Sequence, residues 1–211
     1  TSGALLQQVQ QKLEISSMPS LSAQVLAYES GGKDWLLTRR IPGEDCIDQQ
    51  YLSDPMRLCD TTAHLLRELH EMDISGCPVP NRTEEYLATA RKNYENKAYD
   101  MDLFPDNWGY ATPEEAWRVV EETGKYLKAD TLLHGDYCLP NILLDNWNFS
   151  GFIDLGNGGM GDRHIDLFWG AWSLWFNLKT DKYTDRFFDA YGRDKIDNYL
   201  LRVVSAAEVF G

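Results

Sequence analysis

The chain has 211 residues, 43% of them hydrophobic, with seven Trp and eleven Tyr, a composition that fills a substantial core and excludes wholesale disorder. Its net charge of -13 disfavours nucleic acid and anionic membrane as partners and attracts cations. No apolar run approaches the roughly 20 residues of a membrane helix, no signal-peptide pattern opens the chain, and Cys46, Cys59, Cys77 and Cys138 are too scattered for a zinc site, so free thiols in a cytoplasmic protein are the expectation.

Leu5, Leu6, Val9 and Leu13 share one face of a helix predicted over 5–15, with Ser2 as its cap. Residues 22–30 and 35–38 read as two strands of a hairpin around Gly31-Gly32, and Ile41-Pro42-Gly43 then breaks the pattern. Leu58, Leu65, Leu66, Leu69 and Met72 line one side of a helix over 55–72 that Asp54 caps. Residues 77–80 are irregular. A further helix is expected over 83–97, started by Thr83 and Glu85. The acidic stretch 99–112 reads as a loop, and Thr112-Pro113 starts a helix over 113–127. The texture then changes to short apolar strands at 131–133, 141–144 and 151–155, the last two around a turn at 146–148. From 166 to 209 the chain is helical and aromatic, with Trp169, Trp172, Trp175 and Phe176 at helical spacing and expected in the core. This order predicts an α+β fold.

The chemistry concentrates in Leu133-His134-Gly135-Asp136-Tyr137-Cys138-Leu139-Pro140-Asn141 and in Phe152-Ile153-Asp154-Leu155-Gly156. Phosphoryl transfer asks little covalent chemistry of a protein. It needs a carboxylate at the attacking hydroxyl and oxygen ligands for the magnesium that neutralises the phosphates. In kinases these are an Asp, an Asn five residues later and an Asp on a second loop. Asp136, Asn141 and Asp154 have that order and spacing. Magnesium shares its shell with substrate phosphates, so one Asn and one Asp are sufficient protein ligands. Singly, each residue is an ordinary turn or cap residue; together, between apolar strands, they form a specific pattern. His134 is expected to anchor the loop through backbone hydrogen bonds.

These motifs resemble the aminoglycoside 3'-phosphotransferases. The resemblance rests on H-G-D-Y-C-L-P-N at 134–141, G-F-I-D-L-G at 151–156 and G-D-R-H-I-D at 161–166. It extends to D-W-L-L at 34–37, I-P-G at 41–43, L-L-R-E-L-H at 65–70 and D-R-F-F-D-A-Y-G at 185–192, nearly the whole chain. It implies a protein-kinase-like fold, with residues 1–42 as a partial N-terminal lobe and 43–211 as the catalytic and substrate-binding lobe. It also implies ATP bound at a hinge over 38–41 through backbone groups of Arg39 and Ile41, Mg2+ on Asn141 and Asp154, Asp136 as catalytic base and Asp166 as a structural anchor.

The chain also departs from the family. No glycine-rich loop or early-strand lysine precedes the first helix, which offers Gln8, Gln10 and Gln11 where the family has a glutamate. The expectation is an N-terminally incomplete piece that binds ATP poorly, the alternative a degenerate relative. The family's arginine after I-D-L-G is Asn157 here, and another, in the following helix, is Trp172. Glu208 and Phe210 are the candidates for the family's acidic, aromatic C-terminus. A polycationic substrate needs carboxylates, and Asp100, Asp102, Asp106 and Asn107 occupy the family's substrate loop, the alternative being a solvated acidic loop. Candidate substrate residues are therefore Asp106, Asn107, Asn157 and Glu208. The resemblance implies ATP-dependent phosphorylation of an aminoglycoside hydroxyl. The alternatives are kinase action on another small alcohol (a choline-like amine, a sugar or a macrolide) and an inactive, partner-binding remnant.

Overall fold

The computed structural model describes residues 24–30, 32–38, 40–99 and 109–211. The helix expected over 5–15, the hinge residue Arg39 and the acidic-loop residues Asp106 and Asn107 lie outside the described residues.

β1 (Gln24–Ser30) and β2 (Lys33–Thr38) form the expected antiparallel hairpin. β3 (Glu44–Asp45) and a single helical turn, α1 (Gln49–Leu52), follow. α2 (Pro55–His70) starts at a cap where Asp54 accepts from the Arg57 N–H, with Pro55 at its first turn. Its apolar stripe, Leu58, Leu65, Leu66 and Leu69, is buried. The stripe packs with Tyr137, Leu139, Ile142, Phe152 and Phe187 in the largest core cluster. Each fully buried side chain of this kind is worth about 1.5–3 kcal/mol relative to exposure.

α3 (Arg82–Glu95) begins one residue before the expected start. Its cap is Asn81, which accepts from the Glu84 N–H. Thr83 is instead spent on tertiary bonds, donating to the Lys128 carbonyl at 2.7 Å and accepting from the Asp162 N–H at 2.9 Å. α4 (Pro113–Thr123) ends four residues short of 127, because Gly124–Tyr126 tighten into a 3-10 turn. Trp117 and Val120 from this helix pack with Ala206, Ala207 and Phe210 of the C-terminal segment.

β4 (Thr131–Leu133), β5 (Ile142–Asp145) and β6 (Asn148–Phe152) are the expected short strands. β7 (Gly159–Gly161) was not legible, since a Gly-Met-Gly run carries no strand pattern. β5 lies between β3 and β6 and pairs with both, while β4 pairs with β7. The loops after β4 and β6 thereby come together. α5 (His164–Leu178), α6 (Thr184–Tyr191) and α7 (Asn198–Glu208) close the helical body.

Candidate active site

β4 runs directly into His134-Gly135-Asp136, and the backbone of this loop is held by a carboxylate from the first turn of α5. Asp166, fully buried, accepts the His134 N–H at 2.7 Å and the Gly135 N–H at 2.8 Å. Its Oδ2 also lies 3.1 Å from His70 Nε2, and His70 Nδ1 lies 2.8 Å from the Tyr191 hydroxyl. Burial pushes the His70 pKa down against the pull of Asp166. A neutral ring with its proton on Nε2 satisfies both contacts, accepting from Tyr191 and donating to Asp166.

His134 is buried, and its Nδ1 accepts the Asp136 N–H at 3.3 Å. Burial lowers its pKa too, while the charges of Asp166, Asp136 and Asp154 oppose that shift. A neutral imidazole that accepts from its own loop is an anchor, as the sequence led us to expect.

The chain turns back through Leu139–Asn141, a 3-10 turn pinned where the Leu139 N–H donates to Ser173 Oγ at 2.9 Å. The Asn141 amide Nδ2 donates to the Asp136 carboxylate at 2.9 Å and to its carbonyl at 3.0 Å. This commits the nitrogen and leaves Oδ1 as the group's acceptor atom. The Ile153 N–H donates to the Asn141 carbonyl at 3.0 Å, so Asp154 stands one residue beyond the bond joining the two loops. Asp154 does not continue the strand: β6 ends at Phe152, and Asp154 bends into the left-handed region at φ 58°. For a residue other than glycine that conformation costs of order 1–2 kcal/mol and marks a backbone over-determined by its neighbours. Gly135, at φ +86°, is required by close approach: a Cβ there would meet the Asn157 carbonyl oxygen at 2.2 Å.

Asp136 opens onto a cavity of about 460 Å³ whose wall includes Asn157, Glu208, Tyr86, Trp169 and Arg82. Glu208 is 4% exposed, and its Oε1 accepts from the Tyr86 hydroxyl at 2.9 Å and from Trp169 Nε1 at 3.1 Å. Burial drives its pKa up to about 7, with Asp136 adding and the Tyr86 and Trp169 bonds subtracting.

The structure thus brings Asp136, Asn141 and Asp154 to two joined loops, and Asp136, Asn157 and Glu208 to one cavity. Ile41 is half-buried and does not line that cavity. Phe210 does not either: it is 0% exposed and packs edge-on to Tyr94 and Trp117. The aromatic run is less buried than its spacing implied. Trp169, Trp172 and Trp175 are half-buried and Phe176 is 46% exposed, stacked on Trp172. Tyr86 and Arg82 escaped sequence reasoning. A lone Tyr and a lone Arg in an amphipathic helix carry no signal until the helix is docked.

Among the described residues no group of three or more His, Cys, Asp or Glu is gathered for a metal ion. The donor set suits a hard cation held by one carboxylate, one amide oxygen and the phosphates of a ligand, which is how magnesium binds beside nucleotides. No described helix is long and apolar enough to cross a membrane.

A joined pair of loops carrying Asp136, Asn141 and Asp154 on a mixed helical and stranded body is the arrangement expected of a phosphotransferase. Residues 3–201 match the phosphotransferase enzyme family, and the chain belongs to it. The "Probable aminoglycoside 3'-phosphotransferase" of Lactococcus lactis subsp. lactis (strain IL1403) is 54% identical over 179 residues, 85% of this chain and 68% of that protein. The aminoglycoside 3'-phosphotransferase of Niallia circulans is 32% identical over 174 residues, 82% of this chain and 66% of that one. The chain therefore spans about two thirds of the length of these relatives. The crystal structure of the aminoglycoside-3'-phosphotransferase of type VIII superposes with a TM-score of 0.75 at 24% identity, covering 100% of this chain and 82% of its own. An aminoglycoside phosphotransferase of Streptomyces rimosus, in complex with ADP and streptomycin, gives 0.72 at 24% identity over 99% of this chain and 83% of its own. The fold is that of these kinase-like enzymes.

Proposed function

We propose that the protein transfers the γ-phosphate of ATP to a hydroxyl of an aminoglycoside and so confers resistance, working in the cytoplasm where ATP is available. The observation that carries this reading is the pair of hydrogen bonds from Asn141 Nδ2 to the Asp136 carboxylate and carbonyl, which ties the proposed base to a proposed metal ligand beside a cavity with a carboxylate on its wall. The family membership and the named relatives support the same substrate class.

In this reading Asp136 orients the acceptor hydroxyl and takes its proton as the oxygen attacks. Asn141 Oδ1 and Asp154 would hold Mg2+, which when bound neutralises charge on the phosphate oxygens. Asn141 also fixes the Asp136 carboxylate, so the base is aimed before substrate arrives. Glu208 and Asn157 meet the polycationic substrate in the cavity, and Asp106 and Asn107 are proposed as further contacts to its cationic groups. The backbone of Arg39 and Ile41 meets adenine at a hinge, with the lobes dividing at 42/43. The net charge of -13 draws a polycation toward the surface.

The test is turnover of kanamycin, streptomycin and an uncharged sugar alcohol by the full-length protein with ATP and Mg2+, beside Asp136→Asn. The variant is expected to fold and to lose about 10³-fold in kcat, within the usual range for a general base. Unchanged turnover in the variant, or turnover of the sugar alcohol alone, is the result that defeats the proposal.

A further inference from the structure

Arg82 stands at the first position of α3 and reaches away from its helix to the turn that follows Asp154. Its Nε donates to the Gly158 carbonyl at 2.9 Å, and its Nη2 donates to the Gly156 carbonyl at 2.9 Å. Nη1 pairs with Glu85 on the same helix. The stem lies so close to the turn that a Cβ on Gly159 would come within 2.9 Å of Arg82 Cγ and 2.8 Å of the Val79 side chain. Gly159, at φ +146°, leaves that space open. On its other side the same turn presses the Asn157 carbonyl into the space beside Gly135, next to Asp136. The 155–158 turn is therefore held between a guanidinium and the loop that carries the base. Two carbonyls two residues apart match the planar fork of an arginine, which an ammonium does not reproduce.

We infer that Arg82 is a positioning residue: its guanidinium clamps the 155–158 turn, and with it the left-handed bend at Asp154, against the Gly135–Asp136 loop. The inference rests on the roles proposed above for Asp136 and Asp154. Arg82 also lines the cavity, so a substrate contact is the competing role, and kinetics separate the two. A contact acts mainly on the acceptor's KM, whereas a clamp acts on kcat through misplacement of the reacting groups, where an error of about 1 Å costs on the order of 10²-fold.

The experiment pairs hydrogen–deuterium exchange of the full chain without nucleotide with steady-state kinetics of Arg82→Ala and Arg82→Lys. In Arg82→Ala, peptides spanning 153–161 are expected to exchange about tenfold faster or more, with those of 58–70 unchanged. The kcat should fall about ten- to a hundredfold, the acceptor KM should stay within about threefold, and Arg82→Lys should not restore turnover. Unchanged exchange at 153–161, a KM effect with kcat retained, or full rescue by lysine overturns the clamp. Should Arg82→Ala melt below the assay temperature, Arg82→Gln, which keeps the stem and one donor group, carries the same test. The exchange readout holds whether or not the wild-type protein phosphorylates any alcohol, so loss of the functional reading and loss of the clamp are told apart.

Discussion

Two buried carboxylates serve this molecule in opposite ways. Asp166 is surrounded: two backbone N–H groups and an imidazole from two other segments converge on its two oxygens. Glu208 is underserved, since two neutral side-chain donors both fall on Oε1. It sits on a cavity wall across from Asp136, and its pKa is pushed up to about 7. A fully satisfied carboxylate fixes a loop. A half-satisfied one at a cavity keeps acceptor capacity for a cationic visitor, at a cost in stability.

The largest effect is expected where the satisfied carboxylate is removed. Asp166→Ala leaves the His134 and Gly135 N–H groups without their acceptor in a fully buried site and strands the His70 ring. Breaking a buried pair of this kind costs about 3–5 kcal/mol, a large share of the roughly 5–15 kcal/mol that holds a domain together. Urea unfolding should show a midpoint lowered accordingly with an unchanged slope. A midpoint within experimental error of wild type would mean that Asp166 is not the anchor its bonds describe, and the contrast with Glu208 would fail.

The two carboxylates also differ in how readable they were. Asp136, Asn141, Asp154 and Asp166 lie in short motifs whose spacing suits the proposed chemistry: the proposed base and metal ligands must sit a fixed number of residues apart on loops after strands. Glu208 was named only through an assumed likeness of the C-terminus, and its neighbour Phe210 was named with it and belongs to the core. The partners Tyr86 and Trp169 come from α3 and α5, more than 80 residues apart in sequence. No local pattern announces a meeting of that range. The helix periodicity of α2 and its Asp54 cap were legible because they are local, whereas β7 exists through its pairing with β4 and Thr83, read as a helix start, is spent on tertiary bonds to Lys128 and Asp162. The half-exposed tryptophans of α5 show the same limit, because spacing gives a face and not what covers it.

Glu208→Gln sharpens the comparison with a smaller and two-sided effect. The glutamine oxygen still accepts from Tyr86 and Trp169, and the buried charge is gone. The folded chain binds the Glu208 proton more tightly than the unfolded chain, so wild-type stability declines as pH rises from about 4.5 to about 7 and levels off beyond. A shift of that size is worth about 3 kcal/mol. Melting of Glu208→Gln should therefore exceed wild type at pH 8, and the gap should close at pH 4. Meanwhile kcat/KM for a cationic acceptor should fall about ten- to a hundredfold, since a hydrogen bond to a charged group carries about 1.5–3 kcal/mol. Equal melting curves at pH 8 would argue that Glu208 is as well satisfied as Asp166.

The smallest effect isolates one donor. Tyr86→Phe removes the hydroxyl that donates to Glu208 Oε1 at 2.9 Å while keeping the ring. That bond favours the charged carboxylate, so its loss raises the Glu208 pKa above about 7. The bond to the ionised carboxylate (about 1.5–3 kcal/mol) exceeds one to the neutral acid (about 1 kcal/mol) by roughly 1 kcal/mol, so the displacement is about one pH unit. Binding of a cationic acceptor requires the ionised form, and kcat/KM of the wild type should rise through an inflection near 7 that moves upward in Tyr86→Phe. The same inflection should be absent from Glu208→Gln, which assigns it to this carboxylate rather than to Asp136. A downward displacement in Tyr86→Phe would mean that the hydroxyl accepts from a protonated Glu208 instead of donating to an ionised one, and would reverse the polarity assigned to that side of the cavity.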